Sequence, residues 1–194
     1  MADAPSAPHS IKLIAFAASL RRDSLNRRLL TQAVAVARAA GATVDVHPFR
    51  DFIFPAYDAD LQEAEGIPAA VRHLGDLITG ADGLLLASPE YNFSMPGNLK
   101  NTLDWVSRIR PFPVRDRWAL LLSASNGRVG GNRGLWHLRV PLEAMGMMVY
   151  PDMFSLALAG EAFSEDGSFK DMAMRERLAA MVGGFVNAAG RARA

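Results

Sequence analysis

Gly83-Leu84-Leu85-Leu86-Ala87-Ser88 runs directly into Pro89-Glu90-Tyr91-Asn92, and this junction decides the fold. An unbroken apolar run of strand length, closed by a proline, has the pattern of a strand buried on both faces. The four residues after it read as a ligand loop, because open parallel sheets bind ligands outside the carboxyl ends of their strands. Met95-Pro96-Gly97 fixes a turn, and a helix is expected over 98–107.

The same strand-then-helix rhythm extends in both directions. Strands are expected at 11–17, 43–47, 118–123 and 147–150, and helices at 25–40, 67–79, 132–144 and 170–188. Leu25, Leu29, Ala33 and Ala37 recur at helical spacing, and Gly41 stands where a helix stops. Met174, Leu178, Met181, Val182 and Phe185 line one face of the last helix at ordinary core spacing. Parallel strands need right-handed crossover helices, so the alternation implies an α/β sandwich of three layers around a parallel sheet. About five strands fit the flavodoxin-like order 2-1-3-4-5 better than a six-stranded dinucleotide fold.

Composition bounds the rest. A chain of 194 residues, half of them hydrophobic, buries roughly 70% of its unfolded surface in one core. Residues 1–10, rich in Ala, Pro and Ser, are expected to be a disordered tail, and 11–190 a single domain. With 21 basic and 20 acidic residues, interspersed, the net charge of +1 gives no field that calls for nucleic acid or a membrane surface as partner. There is no cysteine, which rules out disulfides and thiolate chemistry and suits a cytoplasmic location. Lys12 interrupts the apolar stretch after Ser10, and Asp3 stands where a secretory signal carries basic residues, so no signal peptide is expected. No stretch approaches the roughly 20 apolar residues of a membrane span. His9, His47, His73 and His137 are too scattered for a metal site.

Three loops at strand ends carry the polar chemistry. The first, Ala18-Ser19-Leu20-Arg21-Arg22-Asp23-Ser24-Leu25-Asn26, is dense in hydroxyl, amide and guanidinium donors at the start of a helix, where free N–H groups and the dipole favour an anion. It lacks the G-x-G-x-x-G turn, so its donors favour a terminal phosphate monoester over a bridging diphosphate. An equally available reading makes Ser24 a simple helix cap and leaves the arginines solvated. In the second loop Tyr91 offers a wall for a planar ligand and Asn92 a polar reader. Glu90 has no carboxylate or histidine beside it in sequence with which to act as a general base. The third, Ser123-Ala124-Ser125-Asn126-Gly127-Arg128-Val129-Gly130-Gly131-Asn132-Arg133, has glycines that let backbone lie against a ligand. Together the loops make a site of flavin size.

The spacing Ser19-x-Arg21-x-x-Ser24-x-Asn26, then Pro89-Glu90-Tyr91-Asn92-x-Ser94-x-Pro96-Gly97 with Leu99-Lys100-Asn101 and Asp104-Trp105, then Ser125-x-Gly127-x-x-Gly130-Gly131 with Leu138-Arg139, resembles the NADPH-dependent FMN reductases, a family that includes chromate and quinone reductases. The resemblance spans about residues 11–150. Ala18 departs from it, standing where the family has glycine, as does Asn126, where a small residue or proline is usual.

The resemblance implies noncovalent FMN, with Ser19, Arg21, Ser24 and Asn26 on its phosphate, Pro89, Glu90, Tyr91 and Asn92 along the ring and ribityl chain, and Ser125, Gly127 and Gly130 approaching the ring from the other side. It further implies NADPH or NADH as electron donor, a small-molecule acceptor such as a quinone, azo dye, chromate or ferric chelate, ping-pong kinetics, and a homodimer or homotetramer. No catalytic side chain is assigned. The rival reading is a flavodoxin-type electron carrier, whose usual strong acidity this chain lacks. Arg128 and Arg133 are candidates for the extra phosphate of NADPH.

Overall fold

Leu13, Ala15 and Ala17 of β1 (Lys12–Ala17) pack into one hydrophobic layer and Ile14 and Phe16 into another, the alternation that a pleated strand imposes. The computed structural model describes residues 10–191. After β1 come α1 (Leu25–Ala39), β2 (Thr43–Val46), a 3-10 turn (Phe49–Phe52), α2 (Ala59–Glu65), α3 (Ala69–Thr79), β3 (Gly83–Ala87), α4 (Gly97–Val106), β4 (Trp118–Ala124) and α5 (Asn132–Ala144). β5 (Met148–Val149), β6 (Phe154–Leu156), α6 (Ala159–Ala162) and α7 (Met172–Arg191) complete the order.

The sheet runs β2-β1-β3-β4-β5, every pairing parallel, with β6 also on β4. This is the flavodoxin-like order. α1 and α7 cover one face through Leu29, Ala33, Leu178, Val182 and Phe185. α3, α4 and α5 cover the other through Val71, Leu74, Leu99, Trp105, Leu135 and Leu138. β3 and most of β4 are buried on both faces, which explains why they read as continuous apolar runs.

Two features depart from the expected elements. The fifth strand is split: β5 pairs with the start of β4 at Trp118 and Ala119, while β6 takes up its end, from Leu122 to Ala124. Pro151, which has no N–H to give to a ladder, lies between the two pieces. α2 has no buried residue at all, so it carries no hydrophobic period to betray it. Residues 1–9 of the expected tail lie outside the described residues. Ser10, the last of that stretch, donates through Oγ to Gly41 O at 2.9 Å.

Candidate active site

All three loops emerge from the same edge of the sheet because the strands are parallel, and hydrogen bonds stitch them side by side. Ala18 N donates to Ala87 O at 2.8 Å, Ser88 N to Leu122 O at 2.8 Å, and Ser125 N to Leu156 O at 3.0 Å. Asn26 closes the set. Its Nδ2 donates to Ala124 O at 3.0 Å and its Oδ1 accepts from Ala124 N at 2.9 Å, all buried.

The first loop is built with its carbonyls engaged from outside. Arg50 Nη2 donates to Leu20 O at 3.3 Å, and Arg27 Nη2 donates to the carbonyls of both Arg21 and Arg22. In a trans peptide the N–H points opposite to the C=O. The N–H groups of Arg21, Arg22 and Asp23 are therefore turned away from these guanidiniums. Among the described residues, the N–H groups from Leu20 through Asn26 have no protein acceptor. They lie at the start of α1, whose dipole favours an anion there.

The Ser19 hydroxyl and the Arg21 guanidinium make no protein hydrogen bond among the described residues, and Arg21 is exposed. Ser24 is both things that its position allows: its Oγ caps α1 by accepting from Arg27 N at 3.3 Å, which leaves its O–H to donate. Asp23 is exposed. A concentration of unpaired N–H groups, two hydroxyls and one guanidinium is the donor set that a phosphate monoester needs, so these residues fit the phosphate of FMN.

The second loop is a tight hairpin. Tyr91 N donates to Ser94 O and Ser94 N to Tyr91 O, each at 2.9 Å, and the two residues between them, Asn92 and Phe93, have φ of 49° and 67°. Positive φ at both central positions is the type I′ geometry, which asparagine tolerates and phenylalanine resists. Tyr91 is exposed beside it. Pro89 O accepts from Ser88 Oγ at 3.1 Å.

Glu90 turns its carboxylate to α5. Oε1 accepts from Arg133 Nε at 2.9 Å and Nη2 at 2.7 Å, and Oε2 accepts from Gly134 N at 3.1 Å. Arg133 in turn lies 3.8 Å over the Phe93 ring. Nε and Nη2 of this guanidinium are thus engaged by Glu90. Arg128 is exposed on the third loop.

In the third loop Ser125 Oγ accepts from Gly127 N at 3.1 Å, and Gly127 O accepts from Gly130 N at 3.3 Å. Gly130, at φ 61°, lies so close to β6 that a Cβ would meet Leu156 and Ala157 backbone at 2.8 Å. Asn126 Oδ1 accepts from Gly160 N at 2.9 Å, so this departure from the family pattern is a tether to α6. Ala18, the other departure, is buried.

Sequence reasoning missed Arg27 and Arg50, whose role depends on where backbone carbonyls point. It also named Asn101 and Trp105 without a role. Asn101 Oδ1 accepts from Tyr57 N at 2.8 Å, and Trp105 Nε1 donates to Pro55 O at 2.8 Å, so both hold the segment after the 3-10 turn against α4. His137 is a helix residue whose Nδ1 lies 3.2 Å from Ser94 Oγ. Among the described residues no group of three or more His, Asp or Glu is placed to hold a metal. Nor is any helix long and apolar enough to cross a membrane.

Residues 11–161 match the model of the NADPH-dependent FMN reductases. The chain belongs to this family. It is 32% identical to a quinone reductase of Escherichia coli over 178 residues, 90% of this chain and 93% of that one. An NAD(P)H-dependent FMN reductase of Pseudomonas aeruginosa is 35% identical over 168 residues, 86% and 88% of the two chains. The solved flavoenzyme NAD(P)H:(acceptor) oxidoreductase of Paracoccus denitrificans superposes with a TM-score of 0.79 at 27% identity, covering 93% of this chain and 98% of its own. As an FMN reductase family member the chain is an oxidoreductase that uses FMN and NAD(P)H, and the carrier alternative is the less supported reading.

Proposed function

We propose that this FMN reductase takes electrons from NADPH or NADH and delivers them to a small acceptor of the quinone class, with azo dyes, chromate and ferric chelates as further candidates. Bound FMN supplies the two-electron relay between nicotinamide and acceptor. The single observation that carries the reading is the run of N–H groups from Leu20 through Asn26 that have no acceptor among the described residues, with Arg27 and Arg50 holding the carbonyls behind them.

In this reading the backbone of the first loop, the Ser19 and Ser24 hydroxyls and Arg21 grip the phosphate. Asn26 acts mainly through Ala124, fixing the spacing between the first and third loops. The backbone from Pro89 to Asn92 and the Tyr91 side chain line one side of the ring, and Ser125, Gly127 and Gly130 line the other. Both substrates use one open face in turn, which gives ping-pong kinetics. Residues 11–190 act as one unit, in the cytoplasm, consistent with a chain free of cysteine. Self-association as a homodimer or homotetramer is supported by the apolar surface beside the site, where Trp136 is 56% exposed, Val140 68% and Phe93 62%.

The test is direct. Purified protein is expected to be yellow and to bleach when NADPH or NADH is added without oxygen, with colour returning on addition of a quinone. A colourless protein that takes up no FMN would overturn the assignment.

A further inference from the structure

Phe93 is held in a backbone conformation that an aromatic residue enters only at a cost, and such conformations persist where the surroundings over-determine them. The surroundings here are the first turn of α5. We propose that Glu90 and Arg133 are positioning residues, a clamp that fastens the Asn92-Phe93 turn to α5 and so sets the ring side of the cofactor site; this rests on the FMN reading above.

Three observations on the clamp are independent of one another. Glu90, with its side chain only 9% exposed, spends one carboxylate oxygen on Arg133 and the other on the free N–H of Gly134. A carboxylate at a helix N-terminus is further favoured by the dipole. Arg133 covers the Phe93 ring at 3.8 Å, so the guanidinium links the acid on one side of the turn to the strained residue within it. Gly134 leaves no slack: a Cβ there would lie 3.0 Å from Ser94 O and 3.2 Å from both Cα and Cβ of Glu90. α5 is also the helix that the glycine turn of the third loop feeds, through Gly131 at its cap. The clamp therefore makes the second and third loops one body; the phosphate loop is joined to the third through Asn26 and Ala124 and has its carbonyls held by Arg27 and Arg50, none of which belongs to the clamp.

That separation supplies the test. Flavin-free wild-type protein, Glu90→Gln, Arg133→Gln and Arg133→Lys are titrated with FMN and with riboflavin, which lacks the phosphate. Glu90→Gln and Arg133→Gln are each expected to raise both dissociation constants about tenfold, leaving their ratio unchanged, and to alter the fine structure of the bound flavin's visible band. Arg133→Lys, which keeps the charge, is expected to recover part of the loss. Hydrogen exchange on the flavin-free proteins should quicken in peptides covering 89–95 and 131–136 and not in 18–26. Unchanged dissociation constants and exchange in both Gln variants, or a loss confined to FMN, would overturn the clamp alone. Failure of the wild-type protein to bind either flavin would overturn the cofactor reading and this inference with it.

Discussion

Asn26 and Ala124 exchange two buried hydrogen bonds across 98 positions of chain, joining the start of α1 to the end of β4. The amide satisfies both backbone groups of a strand residue that has reached the edge of its ladder. Asn26→Ala would leave that N–H and that C=O buried without partners. The expected cost is about 2–4 kcal/mol of folding stability, read by urea titration of the flavin-free protein. FMN affinity should fall as well, since the first and third loops lose their fixed spacing. A variant as stable as the parent would show that Ala124 is satisfied some other way.

Arg21→Ala tests the phosphate grip without touching the core. Losing one charge-assisted contact should weaken FMN binding by about 1.5–3 kcal/mol and leave riboflavin binding unchanged. The stability of the flavin-free protein should not move, because the exposed Arg21 side chain makes no hydrogen bond or ion pair among the described residues. Arg27→Ala is expected to weaken FMN binding too, by a different route, since its guanidinium holds the carbonyls of Arg21 and Arg22. Isothermal titration with both flavins separates these outcomes, and an equal loss of FMN and riboflavin affinity in Arg21→Ala would count against its place on the phosphate.

The sheet and the three loops were legible because their signals are local: apolar runs at Gly83–Ala87 and Trp118–Ala124, and polar clusters directly after them. Side-chain direction was not legible. Glu90 belongs to the loop as expected, yet its carboxylate is committed to α5, a partner 43 and 44 positions away. Asn26 sits where the motif puts it, yet its amide is spent on Ala124. Both polar groups are largely buried, and a buried polar group goes to whichever backbone group or charge the fold leaves unpaired. That partner is fixed by tertiary packing. α2 escaped notice for the opposite reason, since a short helix with no buried face is stabilised by its Asp58 cap and leaves no periodic trace.

The exposed stripe on α5 predicts association. Trp136 and Val140 lie one turn apart on the exposed side of α5, the helix whose Arg133 covers Phe93 of the hairpin. Burying that surface in a second copy removes it from water, and a charge placed there would oppose the contact. Trp136→Glu combined with Val140→Glu is expected to lower the mass seen by light scattering, from a homodimer to one chain of 21.0 kDa or from a homotetramer to a smaller assembly. An unchanged oligomer would put the contact elsewhere, and a wild-type monomer would dismiss it.

Gly131 lies against Ser123 beneath the third loop with no room for a side chain. Ser123 is fully buried, its Oγ has no hydrogen-bond partner among the described residues, and a Cβ on Gly131 would stand 2.0 Å from that oxygen. Gly131 also has φ of 81°, which L side chains resist. Gly131→Ala should therefore cost about 2 kcal/mol or more, part from the backbone and part from the collision. Ser123→Ala deletes a buried hydroxyl that has no partner, so it is expected to be neutral or stabilising by up to about 1 kcal/mol. In the double variant the collision with Oγ is gone, although the backbone penalty and a 3.0 Å approach to the Ser123 Cβ remain. The two substitutions should then couple favourably by about 1 kcal/mol in a double-mutant cycle on the flavin-free protein. Strict additivity would mean that Gly131 is required for its backbone conformation alone, and that the close packing of the glycine turn on β4 contributes nothing further.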